Sequence, residues 1–195
     1  MKILVVSDIE SSYIWDFFDK SNYSDIDCVI SCGDLKANYL SFLVTMLAVP
    51  VFYVHGNHDK RYLTNPPEGC DCIEDKVVSF KGIRIAGLGG SIEYVGGPFQ
   101  YTEAKMQKRV KKLIRHAKGD IDIFVSHSPT FGLGDDPQSQ CHIGFRSFYP
   151  IYESLNPKIH LFGHNHFTYS SKAKRIIDYK GIQLINGYNY YILEI

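Results

Sequence analysis

The sequence predicts an α/β fold whose sheets mix parallel and antiparallel strands. At the start of the chain, short apolar runs rich in β-branched residues alternate with helical patterns, which is how βαβ units and a parallel sheet read. Later runs are joined by Lys81-Gly82 and Lys180-Gly181, tight-turn pairs that call for antiparallel neighbours. Several of the apolar runs also end in Asp, Asn or His, and those ends carry the functional reading.

Residues 3–6 form a continuous apolar run suited to a strand buried on both faces, and it delivers Asp8 to its carboxyl end. Ser11 or Ser12 then caps a helix through Phe17 and Phe18, whose rings are expected to face the sheet. Residues 26–31 make a second strand that closes at Cys32-Gly33-Asp34, and residues 35–47 read as a helix terminated by Pro50. Residues 51–54 lead a third strand into His55-Gly56-Asn57-His58-Asp59. Asp8, Asp34 and Asn57-His58 thus occupy equivalent strand ends.

Asn65-Pro66-Pro67-Glu68-Gly69 is a loop by composition. Residues 76–80 and 83–88 form the first hairpin. The glycine-rich, aromatic stretch 89–101 is a long connection expected to rim a site. Thr102 is the N-cap of a helix whose Met106, Val110, Leu113, Ile114 and Ala117 repeat at helical spacing. Its lysines and arginines, Arg109 among them, read as a solvated face suited to the C-terminal dipole. Residues 121–125 are a strand that ends in Ser126-His127-Ser128-Pro129, followed by a glycine-bearing loop over 131–146 that carries His142. A short helix closes over 151–155, and the strand at 158–162 ends in Gly163-His164-Asn165-His166. Residues 175–179 and 182–185 pair as the second hairpin, and 190–195 form a final strand.

The chain of 195 residues is 45% hydrophobic and 22% charged, enough apolar surface for a real core without covalent staples, and it reads as one domain over 1–195. A formal net charge of +0 provides no global field to recruit nucleic acid or an anionic membrane. The five cysteines form no C-x-x-C pair, which argues against a disulfide framework and a cysteine-ligated zinc site. The first apolar run is too short for a signal peptide, and no run approaches the roughly 20 residues of a membrane span, so a cytoplasmic location is expected.

Five strand ends bearing only Asp, Asn and His suggest convergence on one site, at the edge where open α/β sheets place ligands. Hard oxygens together with imidazoles suit Mn, Fe, Zn or Ni. There are more ligands than one tetrahedral ion needs. Two ions about 3.5–4 Å apart require a bridge, for which a carboxylate such as Asp34 is apt. His55 and His160 lie within strands and read as structural, His116 as solvent-facing, and Asp59 as a cap on the following turn.

The ordered motifs Asp8-Ile9-Glu10, Gly33-Asp34, Gly56-Asn57-His58-Asp59, His127 and Gly163-His164-Asn165-His166 resemble those of the calcineurin-like metallophosphoesterases. The resemblance spans residues 8 to 166. It implies a four-layer αββα sandwich of two mixed β-sheets flanked by helices, with a dinuclear metal site at the strand ends. It further implies that Asp8 and His166 hold one ion, that Asn57, His127 and His164 hold the other, and that Asp34 bridges them. His58 would reach the substrate, protonating the leaving group or stabilising charge.

The sequence departs from the family at Glu10, which stands where the first motif carries histidine. As an oxygen ligand it would harden that site and tilt it towards Mn or Fe over Zn; pointing away, it would leave the first ion weakly bound. The implied chemistry is phosphoester hydrolysis by a metal-bridging hydroxide, with a small or nucleotide-like phosphodiester as the expected substrate and His142 as a substrate contact. The alternatives are a phosphomonoesterase or protein phosphatase of the same fold, or a non-catalytic binding scaffold.

Overall fold

The computed structural model describes residues 1–167 and 174–195 of the chain. Strand β1 (Lys2–Ser7) leads through a one-turn helix α1 (Ser12–Trp15) to β2 (Cys28–Ser31), α2 (Ala37–Leu47) and β3 (Val51–Tyr53). A short β4 (Asp71–Cys72) follows, then β5 (Val77–Phe80), β6 (Ile83–Leu88), β7 (Ser91–Ile92) and β8 (Gln100–Tyr101). Helix α3 (Glu103–Ala117), β9 (Ile123–Ser126), α4 (Tyr149–Leu155) and β10 (Ile159–Phe162) come next. The final strands are β11 (Ile176–Tyr179), β12 (Ile182–Asn186) and β13 (Asn189–Glu194).

The strands build two large mixed sheets. The first has the order β13-β1-β2-β3-β4, in which β1 to β4 run parallel and β13 closes one edge antiparallel to β1. The second has the order β11-β12-β10-β9-β6-β5, with four parallel central strands and an antiparallel strand at each edge. Both glycine-containing pairs make the expected hairpins, and the antiparallel members fall at the edges, as is common in largely parallel sheets.

Three apolar layers hold the sheets and helices together. Ile3, Val5, Ile30 and Val54 of the first sheet meet Ile85, Ile123, Val125 and Leu161 of the second, all fully buried. Leu4, Val6 and Val29 point the other way and pack under α1 and α2, while Phe124, Phe162 and Leu184 pack under α3 and α4. This alternation follows from the period-2 pleat, and each such side chain contributes about 1.5–3 kcal/mol on burial. Two sheets flanked by helices are the architecture the motif resemblance implies.

The structure corrects two local expectations. The helix after β1 stops at Trp15, and Phe17 is 74% exposed and does not face the sheet; Trp15 and Phe18 do pack against the α2 layer. Arg109 is not on a solvated face. Its guanidinium reaches Glu74 Oε1 at 2.6 Å and Asp75 Oδ1 at 3.0 Å, donates to the Gly89 carbonyl, and lies over the Tyr101 ring. The reason is tertiary: the carboxylates that neutralise it arrive from the connection between β4 and β5.

His160 is a core residue, as its strand position suggested. Its ring nitrogens meet Ser126 Oγ and Tyr152 OH, each at 2.7 Å, and burial pushes its pKa down from 6.5 to about 3. The unfolded chain therefore takes up a proton below pH 6.5 that the native state refuses until about 3. His160 alone is expected to contribute a loss of about 1.4 kcal/mol per pH unit across that window. Denaturant titrations should show this slope flattened in His160→Gln relative to the unaltered chain.

Candidate metal centre

The carboxyl ends of β1, β2 and β3 in one sheet, and of β9 and β10 in the other, come together along one edge of the sandwich. Asp8 follows β1, Asp34 follows β2, Asn57 follows β3, His127 follows β9 and His164 follows β10. Asp8, Asp34 and His164 all adopt left-handed backbone conformations, with φ of 69°, 58° and 68°. Non-glycine residues there persist only where surrounding contacts over-determine them, and such strain clusters at functional sites.

The contacts that hold these turns are on hand. The His164 amide donates to both carboxylate oxygens of Asp8, at 3.1 and 2.9 Å, which ties the two sheets across the site. Two glycines are required by close approach: a Cβ on Gly56 would fall 2.0 Å from Asp34 Oδ1, and one on Gly163 would fall 1.9 Å from Ser7 Oγ. The motif glycines thus let the backbone pass beside the carboxylates.

His127 and His164 are held in the tautomers that metal ligation needs. His127 Nδ1 donates to the Cys32 carbonyl at 2.8 Å, turning Nε2 towards Asn57 Oδ1 at 2.9 Å and Asp34 Oδ2 at 3.3 Å. His164 Nε2 donates to the Cys141 carbonyl at 2.6 Å, which leaves Nδ1 as its lone-pair atom. Backbone carbonyls that orient ligand imidazoles are a regular feature of metal sites. One ligand atom from each of Asp34, His127 and His164 lies within 4.8 Å of the others. His166 Nε2 stands 3.5 Å from Asp8 Oδ1, the pairing the motif resemblance implies for the first ion.

The electrostatics show why such a donor set fits a cation. With Nδ1 committed as a donor, a neutral His127 would turn its Nε2 lone pair onto two oxygen acceptors, an arrangement that needs a positive centre. A proton on Nε2 meets the same need. Burial opposes charge on His127, yet Asp34 and Asp8 override it and hold the pKa at about 9. Burial likewise pushes the Asp34 carboxyl up, but His127 prevails and holds it at about 2. His164 stays neutral, pushed down to about 3 by burial and by the neighbouring His127.

Asp8, Asp34, Asn57, His164 and His166 line a cavity of about 330 Å³ together with His58, Tyr94, Cys141 and His142, and His127 lies buried beneath it. The His58 amide donates to Asp34 Oδ1 at 2.7 Å, which fixes this histidine at the rim. His142 joins the cavity, its Nδ1 2.7 Å from Ser139 Oγ and its ring centroid 5.1 Å from that of His164. Tyr94 comes from the 89–101 stretch, which does rim the site; its hydroxyl accepts from Asn57 Nδ2 at 3.2 Å, so that Oδ1 faces His127. The Cys32 and Cys141 carbonyls and the Tyr94 hydroxyl carry no motif signal in the sequence.

Two motif residues behave differently from expectation. Asp59 does not cap the turn that follows it: its buried Oδ2 accepts from the Gly56 amide at 2.7 Å and the Asp34 amide at 3.0 Å, stapling two site loops together. Burial and the nearby Asp34 carboxylate push its pKa up to about 6. Glu10, expected among the metal ligands, points away from the ligand cluster. Its Oε1 accepts from the Lys36 amide at 2.9 Å, and Oε2 lies 3.6 Å from Lys36 Nζ.

Lys36 is the N-cap position of α2 and its own side chain makes no capping hydrogen bond, so Glu10 supplies from a distance the anion that a helix N-terminus attracts. Glu10→Ala is therefore expected to destabilise the fold by about 1 kcal/mol in denaturant melts. Metal stoichiometry, measured by elemental analysis, should stay unchanged.

No sequence among curated proteins matches this one. Solved structures do. One covers 98% of this chain and 94% of its own at 16% identity with a TM-score of 0.69. TT1561 of Thermus thermophilus covers 96% and 89% at 17% identity with a TM-score of 0.64. A novel archaeal phosphodiesterase aligns over 100% of this chain and 93% of its own at 14% identity and a TM-score of 0.48. At these identities the likeness is one of fold. The family model for calcineurin-like phosphoesterases matches residues 1–167, from the first strand to just beyond His166. The chain belongs to the calcineurin-like phosphoesterase family.

Proposed function

We propose that this protein is a phosphodiesterase with a two-metal centre held by Asp8, Asp34, Asn57, His127, His164 and His166, with Asp34 as the bridge. The two divalent ions would supply the charge that lowers the pKa of the attacking water and clamps phosphoryl oxygens. Three oxygen-donor residues and three imidazoles suit Mn, Fe, Zn or Ni, and manganese serves as the test ion. Glu10 is left out of that set on the strength of its bond to Lys36.

The chain's own residues do the rest. Asp34 and His127 hold the ligand floor in one protonation pattern, and Asp8 locks the His164 turn. His58, at the rim and tethered by its amide, delivers a proton to the leaving oxygen or stabilises its charge. His142 stands on the opposite loop as a substrate contact.

The observation that carries the diester reading is a second cavity of about 400 Å³ that shares the Asp34 and His58 wall with the first. Asn38, Arg61 and the Glu10-paired Lys36 line it beside Asp59, and Arg61 and Asn38 offer a cation and hydrogen-bonding groups to a second substituent on the phosphorus. A monoester would leave that cavity unused. Among the described residues no helix is long and apolar enough to cross a membrane.

The test is turnover of paired aryl phosphate diesters and monoesters by Mn-reconstituted protein with its metal content measured alongside. Faster diester hydrolysis, reduced by Arg61→Ala, is the expected result. A preference for monoesters would refute the diester reading, and protein holding two ions yet inert towards both would refute catalysis.

A further inference from the structure

A second group of ligand-type side chains lies away from the strand-end cluster. His55 in the turn after β3, Cys72 on β4 and Glu74 just beyond it each place one ligand atom within 4.8 Å of the other two. β4 pairs with β3 so that Cys72 stands opposite Tyr53, which brings the Cys72 sulfur within 4.8 Å of a His55 ring nitrogen. Glu74 Oε2 lies 2.5 Å from His55 Nδ1.

We propose that His55, Cys72 and Glu74 form a binding site for a single thiophilic divalent ion of the zinc class, with the fourth position open to water. A nitrogen, a sulfur and an oxygen donor from three residues match the three-ligand form of zinc sites, and the thiolate selects against Mg and Mn. The inference goes beyond the phosphodiesterase reading and does not depend on it.

The surroundings fit an ion there. Arg109 occupies only Oε1 of Glu74 and shares Asp75, so the two carboxylates and the one guanidinium leave a single negative charge for the site. Phe99 stacks on the His55 ring at 4.1 Å and 12°, which fixes the plane of the imidazole and therefore the directions of its ring nitrogens. The His55 and Glu74 side chains are 14% and 11% exposed, so the site is recessed yet reachable. His55 also accepts at its carbonyl from the Gly90 amide at 2.7 Å, so a bound ion would brace both the Gly56-Asn57-His58 turn and the loop that carries Tyr94.

Cadmium, a spectroscopic stand-in for zinc, distinguishes this site from the strand-end cluster, whose proposed ligands include no thiolate. Because Cys141 lines that other cavity, the titration uses the purified full-length Cys141→Ser chain. The expected result is thiolate-to-cadmium charge-transfer absorption that saturates at one equivalent, is displaced by zinc, disappears in the Cys72→Ser, Cys141→Ser double variant, and needs at least about tenfold more cadmium when Glu74→Gln is added. Manganese stoichiometry should be the same with and without Cys72, which separates failure here from failure of the two-metal reading.

Alkylation mapping of the unaltered chain by mass spectrometry gives an independent answer should Cys72→Ser fold poorly. Zinc is expected to protect Cys72 from iodoacetamide more than it protects Cys70. Absence of the absorption, its persistence without Cys72, its dependence on Cys70 or Cys141, or equal labelling of Cys72 with and without zinc would each overturn the proposal.

Discussion

Asp34→Asn is expected to lower kcat/KM by roughly 10³-fold, about 4 kcal/mol of transition-state stabilisation, and to reduce the bound manganese from two ions to one or none. The change keeps the shape of the side chain and removes its charge. Asp34 has several functions at once: it faces His127 at 3.3 Å, takes the His58 amide at 2.7 Å, and stands at the wall between the two cavities. Losing the carboxylate removes the proposed bridge and the charge that holds His127 in register. Elemental analysis beside steady-state kinetics checks both halves, and a variant that keeps two ions and full activity would remove Asp34 from the bridging role.

His58→Ala is expected to separate chemistry from metal binding. His58 lines both cavities, while its bond to Asp34 of the ligand cluster runs through the backbone amide, which alanine retains. kcat should therefore drop by about 10²–10⁴-fold, the usual range for a lost general acid, with manganese stoichiometry unchanged. The loss should shrink for a diester whose leaving group is a good one, since such an oxygen needs no proton. An equal loss for good and poor leaving groups would assign His58 to binding rather than proton delivery.

Much of the fold could be read because it rests on local pattern. Buried parallel strands appear as apolar runs, Lys81-Gly82 and Lys180-Gly181 are hairpin turns by their own chemistry, and Thr102 caps α3 through its Oγ1 with a bond from the Lys105 amide. The short α1 was less legible: Phe17 and Phe18 fit a helical period, but the chain turns away at Asp16 and leaves Phe17 in solvent. Periodicity cannot report where a helix stops when no glycine or proline marks the end.

The sequence by itself determined the alternation of strands and helices and the residues that stand at the strand ends, because backbone periodicity and motif order are properties of neighbours along the chain. Tertiary structure alone decided what those residues face. Glu10 turned to the amino end of α2, Asp59 became a staple between two loops, Arg109 became a half-buried partner of Glu74 and Asp75, and the Cys32 and Cys141 carbonyls oriented two imidazoles. Each of these outcomes depends on a partner 20 or more residues away or on a three-residue turn folded back on itself. The direction of a polar side chain is set by whichever charge or dipole the fold brings within hydrogen-bonding distance.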